Sequence, residues 1–153
     1  MAYKTEPGSI VVDGKLTEEA WDEVGWTPDF ADIRGRYHDP QPWYQTRAKI
    51  RWDDTFMYFG AYFEETEVWA FMTEHDSMVY LDNAFGVFFD PSGSHHYYKE
   101  YQINALLTDW DLELDRPYLD NGTADSSWET EPKMKAVFLE GPGSCLSSFC
   151  GDM

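Results

Sequence analysis

Leu81-Asp82-Asn83-Ala84-Phe85-Gly86-Val87-Phe88-Phe89-Asp90-Pro91 and, a few residues on, Tyr97-Tyr98-Lys99-Glu100-Tyr101-Gln102-Ile103-Asn104-Ala105 are the two runs on which the fold turns. Both are short, rich in aromatic residues and bounded by Asp, Asn, Pro and Gly, which reads as two strands joined through Asp90-Pro91-Ser92-Gly93-Ser94. Trp69 precedes them and Trp110 follows them. Strands that end in polar corners beside exposed indoles suit a β-sandwich holding a flat polar ligand: rings stack on its apolar face while amides and carboxylates grip its hydroxyls. A sugar fits that description.

Working outward, Thr108-Asp109-Trp110-Asp111-Leu112-Glu113-Leu114 alternates as a further strand. Thr46 to Trp52, a turn at Asp53-Asp54-Thr55 and the return Phe56 to Phe63 form the clearest hairpin. In its first arm Arg47, Lys49 and Arg51 share one face and Ala48, Ile50 and Trp52 the other. The basic face points either to pairing with acids on neighbouring strands or to a ligand, and pairing is the expectation. Ser9 to Val12 reads as a short strand before the Asp13-Gly14 turn. A short helix should follow, capped by Thr17, opened by Glu18 and Glu19 and ended by Gly25. Thr66 to Ala70 has room for one helical turn, Arg34 to Trp43 and Arg116 to Pro132 read as loops, Asn121-Gly122 as a tight turn, and Lys135 to Glu140 as the last strand.

The 153 residues suffice for one domain, which at this size buries roughly 68–70% of its unfolded surface. Aromatic residues make up 18% of the chain and seven are Trp, more than such a core needs, so some should lie on the surface as contact sites. A formal charge of −18 opposes phosphate backbones and anionic lipid, excluding nucleic-acid and membrane partners. Cys145 and Cys150 fall near the end, provide no disulfide framework and lack the setting of a zinc site. The first residues have no apolar core of the length a secretory signal needs, which places the chain as written in the cytoplasm.

Val12-Asp13-Gly14-Lys15-Leu16-Thr17-Glu18-Glu19-Ala20-Trp21, Thr46-Arg47, Trp52-Asp53-Asp54, Trp69, Glu74-His75-Asp76-Ser77, Asp82-Asn83, Val87-Phe88, Asp90-Pro91, Tyr97-Tyr98 and Ile103-Asn104-Ala105, taken in order, resemble the carbohydrate-binding module family 9-like domains. The resemblance covers residues 9–140. It implies an all-β fold, a two-sheet antiparallel β-sandwich of jelly-roll type with one short N-terminal helix. It also implies a mono- or oligosaccharide partner clasped between two tryptophans, structural calcium in some members, and company with glycoside hydrolases acting on extracellular polysaccharide. Ala84 and Gly86 depart from it, standing where acids are common in the family.

The residues that would make such a site are Trp69 and Trp110 as stacking platforms, either of which has a core-filling alternative. Asn104 and Gln102, two apart on one strand face, offer hydroxyl partners or else cap a sheet edge. His75 beside Asp76 is a polarised pair, for ligand or for local structure. Asp82, Asn83 and Asp90 are hard oxygen donors near turns, the chemistry calcium prefers; no other cofactor is called for. No carboxylate pair stands out as a glycosidase couple, so a non-catalytic binding domain is the leading reading, with a glycoside hydrolase and a structural or protein-interaction sandwich as the others. Residues 1–8 should be flexible. Residues 141–153 read as an irregular tail, which would leave the sandwich short of strands at its C-terminus and its edge open to self-association.

Overall fold

The computed structural model describes residues 2–130, 134–141 and 144–152. Its backbone divides into two compact units, Met1–Glu67 with Pro132–Met153, and Val68–Glu131. The first holds a five-stranded sheet in the order β1-β2-β3-β9-β8, built from β1 (Tyr3–Lys4), β2 (Thr46–Trp52), β3 (Phe56–Glu64), β8 (Lys135–Gly141) and β9 (Ser144–Asp152). The second holds a four-stranded sheet in the order β4 (Ala84–Phe89), β5 (Tyr98–Asn104), β6 (Asp109–Leu114), β7 (Ala124–Asp125). Every pairing is antiparallel except β1 with β2, which is parallel. One short helix, α1 (Glu19–Asp22), completes the expected all-β, two-sheet chain.

The β2–β3 hairpin forms as its alternation predicts, in full register from Thr46 opposite Phe63 to Trp52 opposite Met57. Its turn is locked by Asp53, whose carboxylate accepts the Thr55 and Phe56 amides at 2.8 Å and the Tyr58 hydroxyl at 2.8 Å. One face of the hairpin carries the N-terminal segment, where Ile10, Val12, Ala20, Trp21, Val24 and Tyr58 make a buried cluster with Leu16, Phe56 and Val137 against it. Gly60 permits that approach: a Cβ there would lie 2.7 Å from Leu16 Cδ2.

That packing corrects the expectation for the basic face. Cross-strand neighbours of Arg47, Lys49 and Arg51 are Tyr62, Gly60 and Tyr58, none of them acidic. Arg51 is 2% exposed and donates to the Ala20 carbonyl at 2.8 Å, the Lys4 carbonyl at 3.0 Å and Glu23 at 2.8 Å. Lys49 donates to the Trp21 carbonyl at 2.5 Å, and burial pulls its ammonium below its ordinary pKa. Arg47 lies 4.6 Å over the Trp26 ring and 5.1 Å over Tyr62, a cation–π pairing. Lys49 and Arg51 thus hold carbonyls of α1.

Four local expectations also change. Ser9 to Val12 joins no ladder; Ile10 and Val12 are buried, and the Val11 amide donates to Glu18 Oε1 at 2.9 Å. Helix α1 begins after Glu18 with no side-chain cap, so Thr17 does not cap it. The segment Thr66 to Ala70 carries no helical turn; a 3-10 turn lies instead at Val79–Leu81. Ser144 to Asp152, expected to be irregular, is strand β9, paired along its length with β3 and also with β8. Ladder hydrogen bonds come from backbone groups, so a run without hydrophobic alternation still completes a sheet when strands flank it on both sides. Pro142, Gly143 and Met153 of the expected tail lie outside the described residues.

Candidate functional site

All the residues singled out for binding lie in the unit with the four-stranded sheet, and one end of that sheet organises them. Ala84 opens β4 opposite Asn104, the last residue of β5, and Ile103 faces Asp109, the first of β6. Trp69 is tied to this end: its amide donates to Asn83 Oδ1 at 2.9 Å, and the Asn83 amide returns to the Trp69 carbonyl at 3.3 Å. Trp110, second in β6, belongs to the same end.

Asn104 builds the corner. It is 3% exposed, donates to the Met72 carbonyl and to Asp82 Oδ2, both at 2.8 Å, and accepts the Leu106 and Thr108 amides at 3.0 and 2.9 Å. Two donors and two lone pairs are thereby all engaged, leaving none for a ligand hydroxyl. Asp82 also accepts the Met72 amide at 3.0 Å. Burial pushes the Asp82 acid upward, yet the Met72 and Phe71 amides and Asn104 outweigh it and hold the acid below the usual carboxylate range.

Aromatic pairs flank the corner. Trp69 lies 5.3 Å from Phe71 with an interplanar angle of 42°, and both are exposed. Trp110 lies 5.3 Å from Tyr80, which is exposed, at 53°. Strand register sets Trp110 opposite Gln102, and Gln102 opposite Gly86. A Cβ on Gly86 would stand 3.2 Å from Gln102 Cγ, so the missing side chain leaves the Gln102 amide room on this face. Gln102 Nε2 donates to Glu100 Oε1 at 2.6 Å, and the Tyr118 hydroxyl donates to Glu100 Oε2 at 3.1 Å. Burial and the charge of Glu100 push the Tyr118 phenol up to about 12, so it stays a donor at neutral pH. The face thus presents rings around a carboxylate–amide pair.

His75 and Asp76 belong elsewhere. Asp109 and Asp111 alternate with Trp110 on β6, so period-two geometry puts them on the opposite face. There His75 Nδ1 lies 2.9 Å from Asp109 Oδ1, while its Nε2 lies 3.0 Å from Glu129 Oε2 and 3.6 Å from Asp76 Oδ1. The Thr130 amide donates to Asp111 Oδ2 at 2.7 Å. Burial lowers the His75 pKa, but its hydrogen bonds to Asp109 and Glu129 prevail and the net direction is upward. Among the described residues, His75, Asp76, Asp111 and Glu129 are the one group whose ligand atoms lie close enough together to hold a metal ion, all within 4.8 Å of one another.

The calcium trio does not converge. Asp82 and Asn83 precede β4 and Asp90 follows it; seven residues at about 3.3 Å each put Asn83 and Asp90 about 23 Å apart. Asp90 accepts the His95 amide at 2.8 Å and the Ser92 hydroxyl at 3.1 Å, shaping its own turn.

Sequence reasoning missed Phe71, Tyr80, Glu100 and Tyr118 on the ring-bearing side and Asp109, Asp111 and Glu129 on the other. The Asp109-Trp110-Asp111 alternation carried a signal for two of them: a strand that turns its indole one way must turn both acids the other. Glu129 and Tyr118 come from a long loop, where no periodicity marks a residue's direction.

No protein-family model matches the chain, and no curated protein does. Two solved structures of a carbohydrate binding module family 9 from Caldicellulosiruptor kristjanssonii, one in complex with glucose and one with cellotriose, are similar to it in fold. Each has a TM-score of 0.66 at 15% sequence identity over 100% of this chain, covering 69% and 68% of those chains respectively. The expected architecture therefore stands: the chain has the two-sheet β-sandwich fold of family 9 carbohydrate-binding modules.

Proposed function

We propose that the chain is a non-catalytic carbohydrate-binding module that takes a mono- or oligosaccharide at the Trp69 and Trp110 end of its four-stranded sheet. The observation that carries this is the pair of ring clusters, exposed Trp69 with exposed Phe71 and exposed Tyr80 with half-buried Trp110, at one sheet end beside the Gln102–Glu100 couple. Indole and phenol faces stack on sugar C–H faces, Gln102 meets hydroxyls, and the Tyr118–Glu100 bond fixes the carboxylate behind it. The similarity in fold to a module in complex with glucose and cellotriose supports the same reading. Asn104 serves here as a positioning residue, and His75 and Asp76 take no part. Attachment of a polysaccharide-degrading enzyme to its substrate is the use such a module would have.

Titration with glucose, cellobiose and xylobiose, followed by tryptophan fluorescence and calorimetry, tests the proposal. A saturable response that is about tenfold weaker in Trp69→Ala and in Trp110→Ala, with circular dichroism unchanged, is the expected result. A folded wild-type protein silent to all three sugars would contradict it.

A further inference from the structure

We propose that His75, Asp76, Asp111 and Glu129 form a site for one divalent transition-metal ion of the Zn²⁺ class, separate from the sugar-facing rings and independent of the sugar proposal. Their ligand atoms already lie within 4.8 Å of one another, and Zn²⁺ with bonds of about 2.0–2.2 Å to nitrogen and oxygen needs them about 3.3 Å apart. Closing that gap takes side-chain rotations and no rebuilding of backbone. One imidazole and three carboxylates from three separate stretches of chain give a four-donor set.

Three observations point to a cation and not to a chance gathering of acids. First, Asp109 Oδ1 sits 2.9 Å from His75 Nδ1, which donates to it, while Nε2 lies 3.0 Å from Glu129 Oε2 and 3.6 Å from Asp76 Oδ1, where a metal ion would take the place of the Nε2 proton. A carboxylate behind a histidine is the usual device for orienting a metal-binding imidazole. Second, Asp111 is 2% exposed, yet its Oδ1 has no hydrogen-bond partner among the described residues, and neither has Asp76 Oδ1. A buried carboxylate oxygen without a partner is costly, and a metal ion supplies the missing partner. Third, four carboxylates, Asp76, Asp109, Asp111 and Glu129, surround the single imidazole, so even a protonated His75 leaves three uncompensated charges. An imidazole nitrogen among the donors favours Zn²⁺ and its neighbours over Ca²⁺ or Mg²⁺, which prefer oxygen alone. The bound ion would staple the Glu129–Thr130 stretch and the His75–Asp76 turn to β6.

The competing occupant is a proton: His75 charged and bridging Asp109 and Glu129 with no metal. Calorimetric titration of chelator-treated, full-length protein with Zn²⁺ at pH 7.5 separates the two, repeated with Ca²⁺ and with the variants His75→Gln, Glu129→Gln and Asp109→Asn. The expected result is one Zn²⁺ per chain, at least tenfold weaker binding for His75→Gln and Glu129→Gln, about 10–100-fold weaker for Asp109→Asn, and Ca²⁺ at least tenfold weaker than Zn²⁺. Glu129 is exposed, so its variant keeps the fold and the test stands if a more buried substitution fails. Absence of a single saturable site in folded wild type, unchanged affinity in His75→Gln and Glu129→Gln, or Ca²⁺ binding as tightly as Zn²⁺ would each overturn the proposal.

Discussion

The two faces of β6 are one residue's step apart and chemically opposite. Trp110 turns toward Tyr80, Gln102 and the buried Glu100, where aromatic area dominates and the one carboxylate is held by an amide and a phenol. Asp109 and Asp111 turn toward His75, Glu129 and Asp76, where charge dominates and the Oδ1 atoms of Asp76 and Asp111 have no hydrogen-bond partner among the described residues. A strand's alternation lets one six-residue segment serve two chemistries without either intruding on the other. The first face is suited to a neutral, flat, hydroxylated ligand; the second is suited to a cation.

The comparison breaks most completely at the corner that both faces share. Asn104→Ala removes four hydrogen bonds, strands the Met72 carbonyl and two amides and takes one donor from the Asp82 carboxylate, which should cost about 2–4 kcal/mol in urea unfolding and weaken ligand response on both faces. Trp110→Ala should act on one face alone. It removes one stacking platform, worth about 1 kcal/mol or somewhat more with its area, so sugar affinity falls about tenfold while Zn²⁺ affinity holds.

Acid sharpens the comparison further. The Asp82 pKa is lowered in the folded state from 3.8, so its contribution to stability is fully present above that value and is lost as pH falls through the lower, folded value. Near-ultraviolet dichroism from the aromatic end should therefore hold from neutrality down to about pH 4 and fade below it, and Asp82→Asn should flatten that acid limb. The smallest effect belongs to Gly86→Ala: a methyl in the space beside Gln102 should weaken sugar binding by a few fold and leave the unfolding free energy within about 0.5 kcal/mol.

How far the sequence could be read follows from where each signal originates. The β2–β3 hairpin and β6 were legible from their alternation, and β4 and β5 from aromatic runs bounded by Asp, Asn, Pro and Gly, because both patterns report a strand. Strand β9 was not, because its pairing with β3 and β8 comes from backbone groups that Ser, Cys and Gly provide as well as Val does. Lys49 and Arg51 misled for a related reason: charge predicts acidic partners on neighbouring strands, but these side chains donate to the Trp21 and Ala20 carbonyls, invisible to any side-chain pattern. Within the candidate site, Trp69 and Trp110 could be placed at one sheet end from the order of the strands, whereas grouping them with His75 and Asp76 ignored the face on which β6 sets its acids. Asn104 was chosen for its two-way hydrogen bonding, and the same capacity is what lets it tie the corner together.

The most direct test of the central claim, that sugar is held by the Trp110 face and not by the His75 face, is calorimetric titration of cellobiose into wild type, Trp110→Ala and His75→Gln side by side. Saturable binding that is equal in wild type and His75→Gln and about tenfold weaker in Trp110→Ala is the result predicted. Loss of binding in His75→Gln with Trp110→Ala unaffected would place the ligand on the other face and contradict the account.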